Sequence, residues 1–146
     1  MLRGLFDLAP RFLTLLPPEE AHEVTLRSME RGIFPRAGGP DHPALMLTFA
    51  KLTLPNPVGV AAGFDKDGRV PDALLALGCG FAEIGSVTPV AQPGNPAKRV
   101  FRLMQDRALI NRLGFNNGGH QAALARLQKL QPGGVVGVNK IGRAHV

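Results

Sequence analysis

The stretch Asn56–Gly68, Asn-Pro-Val-Gly-Val-Ala-Ala-Gly-Phe-Asp-Lys-Asp-Gly, constrains this chain more than any other. Val58 to Ala62 is a short apolar, partly β-branched run, the length of one strand buried on both faces. It breaks at Gly63 into the polar loop Asp65-Lys66-Asp67-Gly68, and a helical pattern follows. A buried strand that empties into a charged, Gly-containing loop before a helix is the first half of a βα unit. Ligands of parallel α/β folds bind at that carboxyl end. Ala61, Ala62 and Gly63 are small enough for a flat ring or a phosphate to approach the backbone, and Lys66 adds one cation. The same loop also reads as a tight turn with a solvated lysine, and the three small residues at the strand end favour a site.

A length of 146 residues suits one small domain or part of a larger protein. The formal charge of +6 and pI near 10.5 permit an anionic partner. Lys and Arg are scattered, however, and Trp and Tyr are absent, so the pattern argues against nucleic acid. The single Cys79 cannot form an internal disulfide and reads as a packed thiol of a reducing compartment.

Met1–Leu16 carries Leu2, Leu5, Phe6, Phe12, Leu13 and Leu16 between Arg3, Asp7 and Arg11, as a short amphipathic helix stopped by Pro17-Pro18. It falls short of the ~20 apolar residues that span a bilayer, and has no signal-peptide h-region, cleavage site or transit segment. Pro18 with Glu19 and Glu20 opens a second helix that runs to about Arg31 and stops at Gly32. The pair either packs on an α/β core or lies in a membrane interface. Ile33–Pro43 reads as a linker. Leu45, Leu47 and Phe49, then Leu52 and Leu54, alternate as a two-stranded ribbon. Val70, Ala73, Leu74 and Leu77 have helical spacing ended by Gly78, and Phe81–Gly85 is a second strand emptying into Ser86–Pro89. Both βα loops then open on one side, as a parallel sheet or barrel requires. Val100–Leu103 and Ala108–Ile110 form a hairpin around Gln105-Asp106-Arg107. The amide-rich Asn111–Gly119 follows, suited to a planar, carbonyl-rich ligand or simply to capping and turns. Ala122, Leu124, Leu127 and Leu130 carry the next helix, Pro132-Gly133-Gly134 breaks it, and Val135–Asn139 is a third strand.

Five segments in order carry a family resemblance: Asn56–Gly68, Glu83–Pro89, Gln92–Pro96, Phe101–Leu103 and Asn111–Asn117. Together they closely resemble class 2 dihydroorotate dehydrogenase, the membrane-associated, quinone-reducing, FMN-dependent enzyme of pyrimidine synthesis. Pro18–Glu23 in the helical pair adds to the likeness, because class 1 enzymes lack it. The resemblance implies the N-terminal part of a (β/α)8 TIM barrel, residues 44–139, preceded by a two-helix membrane-associated segment, residues 1–36. A barrel of this kind typically takes about 250 residues, so the catalytic serine is expected beyond residue 146 and no catalytic base within the chain.

Residue by residue, the resemblance implies that Ala62, Gly63, Phe64, Asp65, Lys66, Ser86 and Asn139 contact FMN. Ser86 stands where the family often has Thr and keeps the hydroxyl donor. Lys66 and Asn111, Arg112, Leu113, Gly114 and Phe115 match the dihydroorotate- and orotate-binding residues. His22 and Arg102 match polar residues along a quinone tunnel beneath the helical pair. None of these is a metal ligand. The implied localisation is peripheral, on the cytoplasmic side of the cell membrane. Arg107 and Met104-Gln105 depart from common family residues at the hairpin tip.

After Asn139 the pattern is lost. Ile141–Val146, Ile-Gly-Arg-Ala-His-Val, is the translation of ATC GGA AGA GCA CAC GTC, a common sequencing-library adapter, and the adapter's two preceding bases complete a lysine codon. Lys140–Val146 is therefore read as a non-native tail. Setting aside Lys140 and Arg143 lowers the charge from +6 to +4. Three alternatives stand beside the main reading. A class 1 enzyme with a soluble acceptor is opposed by His22, Arg102 and the helical pair. A non-catalytic membrane-binding module is opposed by the intact flavin and substrate loops. Another FMN barrel acting on a different carbonyl compound is opposed by Asn111–Asn117.

Overall fold

The computed structural model describes residues 12–131 and 133–142. Most of the expected first helix, including Leu2, Leu5 and Phe6, lies outside them, as do Pro132 and the tail from Arg143 onward.

Helix α1, Pro18–Glu30, starts with Pro at its first position and Glu19 and Glu20 in its first turn, where the helix dipole favours them. It ends at Gly32, which has a φ of 74°. Its inward stripe is Ala21, Leu26 and Met29, all buried. Leu26 and Met29 pack with Val70, Ala73, Leu74 and Ala82 in the main core. Each of the two contributes about 1.5–3 kcal/mol by leaving water. The expected linker is pinned to this body. Phe34 packs against the core, Ala37 N–H donates to the Ala76 carbonyl at 2.9 Å, and Asn56 donates to Asp41 at 2.6 Å.

Strands β1, Leu47–Phe49, and β2, Leu52–Leu54, pair antiparallel as the expected ribbon. Strand β3, Gly59–Val60, helix α2, Pro71–Ala76, and strand β4, Phe81–Val87, form the first βα unit. The hairpin β5, Val100–Leu103, and β6, Ala108–Asn111, interrupts the second crossover before helix α3, Gly119–Leu127, and strand β7, Val135–Lys140. Strands β3, β4 and β7 make a three-stranded parallel sheet in that order, with Gly59 opposite Phe81 and Ile84 opposite Val138. The outer edges of β3 and β7 have no partner among the described strands, so the sheet is open. Along β4, Ala82 and Ile84 are fully buried toward the helices, while Phe81 and Glu83 on the other face are half-buried.

Two sequence expectations need correction. The first strand is two residues long and half-buried, with Val58 66% exposed, where a strand buried on both faces was expected. Only β4 flanks it, so half of its surface lacks a neighbour. In α3 the buried stripe is Gly119 and Ala123, with Leu127 half-buried against Ile84 and Val87. Leu124 is 49% exposed and Leu130 lies beyond the last turn. The i, i+4 pair of Ala123 and Leu127 faces β4, and Leu124 sits one position round the helix. Lys140 is the last residue of β7, opposite Val87, a place it holds through its main chain.

Candidate active site

The loop after β3 is built around Asp65, whose side chain is fully buried. Its carboxylate accepts from the main-chain N–H groups of Asp67 at 3.3 Å, Arg69 at 2.9 Å and Val70 at 2.7 Å. The Asp65 carbonyl accepts from Gly85 N–H at 2.9 Å, and Gly63 N–H donates to the Gly85 carbonyl at 2.7 Å. The loop is thereby stitched to the end of β4, and Lys66 projects from it. Lys66 Nζ donates to the Gly63 carbonyl at 2.8 Å. Burial holds the Lys66 ammonium below the ordinary lysine range, opposed by the negative charges of Glu19 and Asp67.

The second wall is the segment after β6, pinned by Asn117. Its side chain accepts from Thr88 N–H at 3.2 Å and Gly119 N–H at 2.8 Å, and donates to Thr88 Oγ1 at 2.9 Å and the Phe115 carbonyl at 2.7 Å. That clamp lays Asn111–Asn116 across the carboxyl ends of β3 and β4. The Asn116 Oδ1 atom is buried with no hydrogen-bond partner among the described residues. A buried acceptor left open costs about 1–3 kcal/mol, which a ligand donor would recover.

Two clefts meet at Lys66. The first, 430 Å³, is lined by Gly63, Lys66, Gly85, Ser86, Asn95 and Asn111 to Asn116. The second, 460 Å³, lies between α1, the Lys66 loop and the β5–β6 hairpin, and includes Glu19, His22, Phe64 and Arg102. Gly63, Lys66, Asn111, Leu113 and Asn116 line both. His22 Nε2 lies 2.6 Å from the Phe64 carbonyl, so that nitrogen carries the proton. Arg102 donates to the Leu13, Thr14 and Leu16 carbonyls at 3.3, 3.0 and 2.7 Å. Its guanidinium thus holds the first segment onto the hairpin.

Most of the residues singled out from sequence converge. Gly63, Lys66, Ser86 and Asn111 through Phe115 share the first cleft, and His22, Phe64 and Arg102 share the second. Three do not line either. Ala62 donates its N–H to Glu83 at 3.3 Å. The Asp65 side chain points into the loop, where it accepts from main-chain N–H groups. Asn139 sits near the end of β7 with its carbonyl against Gly85. Sequence reading passed over Glu19, Asn95 and Arg99 as site components. Glu19 showed only as a helix-dipole partner, and nothing local signals that Arg99 reaches it across 80 residues.

The fold and the placement of the clefts define an α/β protein with its site at the carboxyl ends of parallel strands. The family profile described as Dihydroorotate dehydrogenase matches residues 44–141, and the chain belongs to that family. Its curated relatives include proteins named dihydroorotate dehydrogenase (quinone). The one from Sinorhizobium medicae is 52% identical over 95% of this chain, which covers 38% of the relative. The one from Parvibaculum lavamentivorans is 53% identical over 92% of this chain, covering 39% of the relative. The chain thus spans less than two-fifths of the length of either. The ligand-free crystal structure of the dihydroorotate dehydrogenase of Eimeria tenella matches with a TM-score of 0.81 and 38% identity, over 89% of this chain and 39% of that one. The structure of the Eimeria enzyme with ferulenol matches with a TM-score of 0.80 and 39% identity, over 85% and 35%.

Proposed function

We propose that the chain forms the first strands of a (β/α)8 barrel in an FMN-dependent enzyme that oxidises (S)-dihydroorotate to orotate and passes the electrons to a membrane quinone. One observation supports this above the others: Lys66 lines both clefts, one walled by the amide-rich loop and one by α1. A site that must serve a polar pyrimidine and an apolar quinone needs two approaches to one redox centre.

The residues of the first cleft fit a flavin. They combine the Lys66 ammonium, the Ser86 hydroxyl, the Asn95 and Asn111 amides and the open Asn116 Oδ1, a mixed donor–acceptor set matched to a carbonyl- and N–H-bearing ring. A Cβ at Gly63 would meet nothing within 4 Å, which leaves room for a planar group. FMN, when bound, supplies the acceptor for the substrate's hydride and the route of electrons to quinone. Lys66 stabilises negative charge on the substrate carboxylate and on the ring beside it. Asn111 and the main chain of Leu113 to Phe115 orient the pyrimidine. None of the residues assigned here takes the proton from C5.

His22 and the Phe64 ring border the second cleft as a half-apolar approach for a quinone. Phe12 and Leu15 are 65% and 81% exposed at the near end of the first segment. Among the described residues no helix is long and apolar enough to cross a membrane. An interfacial position for this segment, at the cytoplasmic side of the cell membrane, fits both facts. The test is a single-turnover experiment on the enzyme extended to the length of its relatives. Mixing with dihydroorotate should bleach a bound flavin, and a quinone in liposomes should restore its colour. A protein that binds no flavin, or whose flavin dihydroorotate leaves oxidised, would overturn the reading.

A further inference from the structure

Arg99 precedes β5 and is among the most fully engaged side chains in the structure. Its Nε and Nη2 donate to the Glu19 carboxylate, at 3.0 Å and 2.8 Å to Oε2. Its Nη1 donates to the carbonyls of Pro93 and Asn95, each at 2.7 Å. One planar guanidinium therefore grips helix α1 with one edge and the Pro93–Asn95 turn with the other, a geometry that only arginine supplies. The Arg99 side chain is 15% exposed and that of Glu19 39%.

The turn it grips is the brace of the Asn111–Phe115 loop. Asn95 donates from its main-chain N–H to the Leu113 carbonyl at 3.0 Å and from Nδ2 to the Arg112 carbonyl at 2.7 Å. Gln92 Nε2 donates to the Gly114 carbonyl at 3.0 Å, and Arg112 N–H donates to the Arg99 carbonyl at 2.8 Å. The two chains interlock closely. Gly94 and Gly114 have φ of 73° and 72°, and a Cβ on Gly114 would lie 2.8 Å from Asn95 N. Asn111 closes β6 opposite Val100 and Asn117 clamps the far end, so this lattice of bonds braces the irregular stretch from Arg112 to Gly114 between them.

We propose that Arg99 is a positioning residue that couples helix α1, through Glu19, to the loop that holds the pyrimidine. The proposal rests on the function assigned above for the identity of the ligand, while the mechanical coupling stands on the contacts alone. It makes the helical segment a support of substrate binding as well as a quinone approach.

The experiment uses the enzyme extended to the length of its relatives, with orotate as the probe. In Arg99→Gln the Asn95 and Arg112 amides should exchange hydrogen at least about tenfold faster, and orotate affinity should fall by about tenfold, the order set by one charge-assisted hydrogen bond. The Ile84 amide in β4 should keep its protection. Arg99→Lys should not rescue, because an ammonium cannot hold a carboxylate and two carbonyls in one plane. Glu19→Gln should show a smaller loss of the same kind, and the double variant should be no worse than Arg99→Gln alone. Arg99 lines neither cleft, and in Arg99→Gln KM for dihydroorotate should rise by a larger factor than KM for quinone, a split that general destabilisation would not produce. Unchanged exchange at Asn95 and Arg112 would overturn the coupling, and so would strictly additive effects of the two variants. Faster exchange with unaltered orotate affinity would overturn the positioning role. Should the unmodified protein bind no orotate, the function assigned above fails, and the amide exchange still decides the coupling.

Discussion

The His22 imidazole donates from Nε2 to the Phe64 carbonyl at 2.6 Å and stands edge-on to the Phe64 ring, with the centroids 5.3 Å apart. Helix α1 is thereby joined to the loop two residues before Lys66. Burial lowers the His22 pKa below 6.5, partly offset by the bond to Phe64.

That shift predicts a pH dependence. A histidine whose folded pKa is depressed binds a proton more readily when unfolded, so its contribution to stability is complete above about pH 6.5 and is lost as pH falls through the folded value. The melting temperature should therefore decline as pH falls below about 6.5, and His22→Asn, which keeps a donor for the carbonyl but does not titrate, should flatten the decline. Equal slopes in the two proteins would remove His22 as the titrating group.

Arg69 also binds α1, from the same cleft as His22. It donates to Glu23 at 2.7 Å and to Glu30 at 2.7 Å, and Glu23 also accepts from Arg27. Hydrogen bonding to Arg69 holds the Glu23 carboxyl at about 2 against an ordinary 4.5. The associated stability is present above about pH 4.5 and is lost toward the lower value. Glu23 is 38% exposed, so screening keeps its share near about 1 kcal/mol or less. Arg69→Ala should release α1 and speed limited proteolysis between Arg31 and Asp41, with the parallel strands still folded. A cleavage rate equal to that of the parent would refute this.

Asp65 and Lys66 are neighbours with opposite expected phenotypes. Asp65→Asn leaves one acceptor where three main-chain N–H groups converge, and should destabilise the full-length enzyme by about 2–3 kcal/mol. Lys66→Ala should change stability by less than about 1 kcal/mol but slow reduction by dihydroorotate by about a hundredfold or more. Denaturant titration and stopped-flow reduction of each variant separate the two. A Lys66→Ala enzyme that reacts at the parent rate would remove that residue from the site.

Phe12 and Leu15 test the interfacial reading. Replacing both by Ser should lower liposome association and raise KM for a long-chain quinone in membranes, while reduction by dihydroorotate persists. Unaltered partitioning would return the segment to a packing role.

Much of the architecture was legible in short-range pattern. The apolar run before Gly63, the helical spacing of Val70 to Leu77 and the alternation around the two ribbons each encode an element from residues a few positions apart. Gly32 and Gly78 mark helix ends in the sequence because few other residues adopt their conformation. Grouping Gly63, Lys66 and Ser86 was legible too, since strands of one parallel sheet send their following loops to one side. Asn111 to Phe115, by contrast, close and follow the antiparallel hairpin, and joined them only through the family resemblance.

What the tertiary structure alone decided is where side chains in those loops point. Asp65 and Lys66 are both charged and adjacent, yet one is fully buried by N–H groups up to five residues ahead and the other faces two clefts. Ala62, just past β3, and Asn139, in β7, meet Glu83 and Gly85 through their main-chain N–H and carbonyl. Glu19 and Arg99 meet across 80 residues. A loop side chain has no periodicity to reveal its direction, because that direction is set by whichever buried polar groups need a partner, and those groups become neighbours only when the chain has folded.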